Sequence, residues 1–241
     1  MRKAILPVLL GLMCSNAAHA QLAFGLEGGI GASSMYFAPA VGYTSASQSP
    51  ITSWKLGEVA DIQLNNNIFV QTGASLLQKG QSRKFSFYTS DSLNVSVSQD
   101  LKLLYAELPL NLVFKTGHSG SERFFFGIGA NFGYLIGGKF KYHNSGNAYG
   151  VAFDSSATDR AQDKDPVHAF EIGLNLNGGY ELPSGLLFRL YYTVGISDVG
   201  VGTEIDKNRN WGFSAGYLFG KRKALRHETQ DLIDSTPIEN E

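Results

Sequence analysis

The stretch Leu104 to Phe114, LYAELPLNLVF, places large apolar side chains at every second position and sets Tyr105, Glu107, Pro109, Asn111 and Val113 between them. A period of two makes a β-strand whose two faces meet different surroundings. In a soluble core strand the carboxylate of Glu107 would lack water, and Pro109 would interrupt the hydrogen-bond ladder. The same period recurs in eight segments, and this repetition constrains the fold more than any other feature.

The first segment, Leu22 to Ala32, sets Leu22, Phe24, Leu26 and Ile30 against Ala23, Gly25, Glu27, Gly29 and Gly31. Ile68 to Leu76, Leu104 to Phe114, Phe124 to Tyr134, Phe170 to Asn177, Leu186 to Ile196 and Asn210 to Phe219 repeat the arrangement. Each opposes a bulky row to a row rich in Gly, Asn and Ser with isolated charges. The exception is Trp54 to Leu64, where Glu58 shares a face with Trp54, Leu56, Ala60 and Ile62. A carboxylate facing lipid is costly. Either a bulge near Gly57 turns Glu58 inward, or the phase of this strand differs.

A soluble sandwich would present Lys, Glu and Thr to open water on its polar face. Small polar residues suit instead a narrow barrel interior, where bulky side chains from eight strands would collide. The connections agree. Ser33 to Ser53, Leu77 to Leu103, Leu135 to His168 and Ser197 to Arg209 are long. Asn65 to Asn67, Lys115 to Arg123 and Pro183 to Gly185 are short. Long outer loops alternating with tight periplasmic turns is the layout of bacterial outer-membrane barrels. Aromatics gather at both ends: Trp54, Tyr134, Phe170 and Trp211 toward the long loops, Phe24, Phe114, Phe124, Tyr180, Phe188 and Phe219 toward the turns. The pattern predicts an all-β fold, an eight-stranded antiparallel up-and-down transmembrane β-barrel. Pro109 then requires a local bulge or a missing ladder bond.

The chain's ends set its compartment. Arg2 and Lys3, the apolar run Ala4 to Cys14, and Ala18-His19-Ala20 before Gln21 read as a secretory signal over residues 1–20. The only cysteine, Cys14, leaves with it, so the mature protein forms no disulfide. Residues 21–219 form the barrel domain. Residues 220–241 form a periplasmic tail, basic at Lys221, Arg222, Lys223 and Arg226 and acidic toward Glu241. A net charge of −1 argues against nucleic acid.

Within the barrel, Glu27, Glu107, Asn111, Glu171 and Arg189 are expected to form a polar network in the lumen, with Lys55 and Asp61 as further candidates. Isolated charges in so narrow a space need partners, and here acids outnumber bases. A structural plug fixing register is favoured over a proton or ion path. No catalytic, cofactor-binding or metal-binding residue is predicted, and no cofactor. His118, His143, His168 and His227 are scattered, and the acidic loop with Asp154, Asp159, Asp163 and Asp165 matches no calcium spacing. Gly28-Gly29-Ile30-Gly31 and Gly127-Ile128-Gly129 precede no helix, so they cradle no phosphate.

"LLYAELPLNLVFK" resembles the L-x-Y-L-E-I-P-L-x-x-K-type signature of the PorT-like outer membrane β-barrel family of the Bacteroidetes. "IFVQTGASLLQKG", "RFFFGIGANFGYLIGGKFK", "YYTVGISDVG" and "WGFSAGYLFG" are similar to that family's third, fifth, seventh and closing strands. The resemblance spans Leu22 to Phe219 and implies architecture more than activity. The founding member's tie to a gliding- and secretion-associated export machine implies an alternative role as accessory to envelope transport or secretion. The primary expectation is a non-enzymatic structural or surface-interaction protein acting through its outer loops. Its partners are outer-membrane lipid and envelope proteins met through loops or tail, and a monomer is expected.

Overall fold

The computed structural model describes residues 22–36, 45–90, 93–118, 120–148, 151–160, 168–198 and 207–219. The expected signal and tail lie outside these residues, as do Asp163, Asp165 and His227. The described chain holds ten strands: β1 (Leu22–Tyr36), β2 (Ser45–Gln63), β3 (Ile68–Thr72), β4 (Ser75–Ser90), β5 (Leu93–Lys115), β6 (Arg123–Ala148), β7 (Val151–Arg160), β8 (Phe170–Glu181), β9 (Leu186–Gly195) and β10 (Lys207–Phe219). All pairings are antiparallel, and β10 closes on β1 from Phe24↔Phe219 to Tyr36↔Lys207. β3 and β4 are two pieces of one strand, both paired to β2 on one side and β5 on the other. β7 pairs only with β6 among the described residues and lies outside the ring. Eight strands therefore form the ring.

The alternation decides which row is enclosed. On β10 the residues from Asn208 to Leu218 alternate buried and exposed without a break. Leu22, Phe24, Leu26, Ile30, Leu108, Leu110, Leu112, Phe114, Phe126, Leu190 and Phe213 all stand exposed on the outer wall. Only an apolar solvent leaves so continuous a belt without cost.

Glu58 corrects the expectation for the second strand. Register runs unbroken through Leu26↔Glu58 and Glu27↔Gly57, so no bulge turns Glu58 inward and the phase is regular. Its side chain is exposed in the outer row, between Trp54 and Leu64, and its carboxylate makes no ion pair or hydrogen bond among the described residues. Glu58→Leu is accordingly expected to raise the unfolding free energy in a bilayer by about 1–2 kcal/mol. Urea titration of lipid-refolded protein checks this, and destabilisation would show that the carboxyl has a partner.

Pro109 is accommodated by its neighbour. The strand across from it is interrupted at Gly73-Ala74 between β3 and β4, while register is kept on both sides, Thr72↔Leu110 and Ser75↔Glu107. The Thr72 hydroxyl donates to the Pro109 carbonyl at 2.8 Å. Gly73 has φ +153°, and a Cβ there would lie 2.1 Å from the Glu58 carbonyl oxygen. The expected missing ladder bond is thus matched by a glycine gap in the partner strand.

Where they are described, the predicted long loops after the first, third and fifth segments are largely β-structure. β2, β4, β5 and β6 run on beyond the ring, and with β7 they make a five-stranded sheet, β2-β4-β5-β6-β7, at one end of the barrel. The opposite end keeps its tight turns. Asn65 Oδ1 accepts from the Asn67 and Ile68 amides at 2.9 and 2.7 Å. Gly185, at φ +94°, closes the β8–β9 turn with its amide donating to the Leu182 carbonyl at 2.9 Å.

Candidate functional site: the charged lumen

The enclosed row supplies five acids and five bases: Glu27, Asp61, Glu107, Glu171 and Glu181 against Lys55, Lys79, Lys115, Arg123 and Arg189. Removing so many charges from water is tolerable only if each is paired and hydrogen-bonded. They assemble in three tiers.

Near the hairpin end, fully buried Lys79 reaches across the lumen to Glu107 at 2.7 Å and Glu171 at 3.0 Å. Asn131 Nδ2 donates to Glu107 at 2.9 Å, and Asn208 Nδ2 to Glu171 at 2.8 Å. The Lys79 ammonium lies 4.9 Å from the Tyr105 ring centroid. In the middle tier Glu27 meets Lys55 at 3.2 Å and Arg189 at 3.1 Å, and accepts from the Ser214 hydroxyl at 2.9 Å. Near the turns, Lys115 bridges Asp61 and Glu181, the latter at 2.7 Å. Gln71 links the lower two tiers: Arg189 Nη1 donates to its Oε1 at 2.6 Å, and its Nε2 donates to Asp61 at 2.6 Å. Arg123 locks the turn end through the Asn66 and Thr116 carbonyls at 2.6 and 3.2 Å.

Two apolar clusters pack along this column. Met35, Leu103, Tyr105 and Leu135 lie toward the hairpins, and Val59, Phe69, Val113, Phe125, Leu187 and Leu218 lie between the middle tier and the charges nearest the turns. Between them, a cavity lined by Lys55, Glu107, Pro109, Arg189 and Tyr191 has only about 10 Å³, room for at most about one water.

Of the sequence-predicted lumen residues, Glu27 and Arg189 meet directly, Glu107 and Glu171 meet through Lys79, and Lys55 and Asp61 join them. Asn111 is buried in the lumen but stands apart from the network. Neither atom of its amide has a hydrogen-bond partner. The expected excess of acids is corrected by Lys79, Lys115 and Arg123, which sequence reasoning had left in loops or at strand ends. Extending the inward row 71, 73, 75 by two more steps would have reached Lys79, and extending 111, 113 by one would have reached Lys115. Asp154 and Asp159 lie on β7, and Asp154 faces His143 at 3.5 Å. Among the described residues no His, Cys, Asp and Glu cluster could hold a metal.

So densely ion-paired a column, with room for about one water at its mid-level, argues against a continuous water path. Refolded protein is therefore expected to show no resolvable single-channel current in planar bilayers, and Arg189→Ala should not open one. A stable unitary conductance in either would overturn the plug.

A family model described as "Outer membrane protein beta-barrel domain" matches residues 15–201. The chain belongs to this family. Its members are outer-membrane barrels, and the ring with its apolar outer belt is the barrel of that family. The protein accordingly resides in the outer membrane. Among curated proteins none matches the sequence. Solved structures similar to this barrel include OprG from Pseudomonas aeruginosa, 16% identical over 83% of this chain and 97% of that chain, TM-score 0.41. The attachment invasion locus protein Ail of Yersinia pestis is 15% identical over 82% and 98%, TM-score 0.37. Neisserial surface protein A is 9% identical over 82% and 98%, TM-score 0.36.

Proposed function

We propose that this outer-membrane barrel is a non-enzymatic surface-interaction protein that binds through the sheet at its hairpin end. The supporting observation is that five-stranded extension. β7 is a ten-residue strand paired on one side only, and β2 from Ser45 to Pro50 pairs only with β4 among the described residues. Unpaired strand edges are ready acceptors for another extended chain. A plugged lumen leaves the surface, not the interior, to carry the role. In this reading residues 1–20 direct export, both termini are periplasmic, the hairpins face outward, and the barrel is a monomer of PorT-like Bacteroidetes type.

The test compares two deletions in cells. In one, residues 141–158 are replaced by a tight Asn-Gly turn; in the other, residues 220–241 are removed. Crosslinked partners recovered from intact envelopes should disappear with the hairpin and persist without the tail. The reverse pattern would favour the accessory role in envelope transport or secretion and overturn this one.

A further inference from the structure

The outward face of the hairpin sheet carries a cluster of lysines that form no ion pair with the described chain. On β5 and β6, Lys102 and Lys139 are direct cross-strand partners. Lys141 follows two residues on, paired to Asp100, and Lys84 on β4 is paired to Ser98, itself the partner of His143. Lys84, Lys102, Lys139 and Lys141 are all exposed. None of the four has an ion pair with the described chain. Of the acids on this face, Asp100 stands opposite Lys141 without an ion pair to it, and Asp154 on β7 faces His143 instead.

A bulge creates this face. Between Leu104/Tyr105 on β5 and Gly137/Leu135 on β6 the register slips by one residue at Ile136. Below it the even-numbered residues of β6, Phe124 to Tyr134, face outward; above it Lys139, Lys141 and His143 do. Without the slip these basic side chains would point to the other side of the sheet, where Leu101, Phe140 and Tyr142 now lie. Like charges directly opposite one another are destabilising. That cost is removed when an anion sits between them.

Height along the barrel identifies the anion. Lys102 comes one step beyond Leu104 in the same outward row, and Lys139 three residues beyond exposed Ile136 and five beyond exposed Tyr134. Tyr134 is paired with Phe170, another exposed aromatic. Such aromatics mark the boundary between hydrocarbon and headgroups, so the lysines stand at headgroup level. Lysine near a membrane surface binds phosphate as a flexible point charge.

We infer that the Lys102–Lys139–Lys141 wall binds the phosphorylated headgroup of an outer-leaflet glycolipid. The site rests on the outward orientation of the hairpins proposed above, but not on what those hairpins bind.

The test uses full-length protein refolded in detergent, with bound lipid counted by native mass spectrometry. Diphosphorylated lipid A is the probe, alongside its dephosphorylated form and inorganic phosphate alone. At about fivefold per lysine near a surface, Lys102→Ala with Lys139→Ala is expected to weaken diphosphorylated lipid A binding by about 25-fold. The double substitution to Arg should retain it. The dephosphorylated form should bind the wild-type protein no better than the alanine variant binds the phosphorylated one. Equal binding of the two lipids by wild-type protein, or an unchanged affinity in the alanine variant, overturns the site. Inorganic phosphate that competes at the same concentration as the lipid would overturn the lipid source. Should the alanine variant fail to fold, the comparison of lipids on wild-type protein decides alone. None of these outcomes bears on the envelope crosslinking test, so the two readings fail separately.

Discussion

Lys79→Met is expected to lower the unfolding free energy of the refolded barrel by about 3–5 kcal/mol, the largest effect of any single charge removal in the lumen. Lys79 is wholly buried, and its ammonium alone holds Glu107 and Glu171 within 2.7 and 3.0 Å. Methionine fills similar volume, so packing loss is small and the penalty isolates the charge. What remains is two carboxylates facing each other in a water-poor column, with Asn131 and Asn208 as their side-chain donors among the described residues. Asn amides satisfy lone pairs but do not neutralise charge. The triple variant Lys79→Met, Glu107→Gln, Glu171→Gln keeps both Asn contacts, because a glutamine carbonyl still accepts, and removes every charge of the tier. It should recover most of the loss. Urea titration followed by heat-modifiable gel mobility gives both numbers. A single variant within about 1 kcal/mol of wild type would mean that water reaches this tier, and the plug would then be open at its hairpin end.

The same residue shows how far the sequence could be read. Alternation at eight segments was legible because lipid on one side and a narrow lumen on the other impose opposite chemistry on neighbouring residues. The short turns were legible from Asn65 to Asn67 and Pro183 to Gly185, where tight geometry restricts residue type. Illegible was everything above the membrane. From Leu77 upward, β4 loses the lipid boundary condition, so its rows cease to differ in polarity and the strand reads as a loop. Lys79 fell just past that boundary. The bulge at Ile136 was equally hidden, since its evidence is a register slip between two strands far apart in sequence, not a local motif. Glu58 misled for the opposite reason. A charge in the outer row argued for a defect at Gly57, yet β2 is regular there against β1, and its register slip against β4 lies further on, between Pro50 and Lys55. Among the candidate residues, single side chains could be assigned to the interior, but their partners could not. Asn111 was assigned inward with the rest, and only its surroundings separate it from the ion pairs.

Gly129→Ala and Gly137→Ala, eight residues apart on one strand, are expected to have opposite consequences. A Cβ on Gly129 would lie 1.9 Å from the Leu110 carbonyl oxygen, 2.6 Å from the Asn111 Cα and 2.7 Å from the Asn111 Oδ1. Two of these are backbone atoms of β5, held in place by the ladder through Asn111↔Gly129 and Leu112↔Ile128. No rotamer relieves such an overlap, so one strand must move away from the other. Overpacking of this kind costs about 1–3 kcal/mol, and the fixed backbone puts Gly129→Ala at the upper end. A Cβ on Gly137 meets no atom within 4 Å. There alanine only narrows the unfolded ensemble, so stability should hold or rise by up to about 1 kcal/mol. Measured side by side in urea, a separation of at least about 2 kcal/mol is expected. Equal stabilities would show that β5 and β6 can part freely at Gly129. The wall of the ring would then be elastic where the packed interior requires it to be fixed, and the small residues of the inward row would lose their steric explanation.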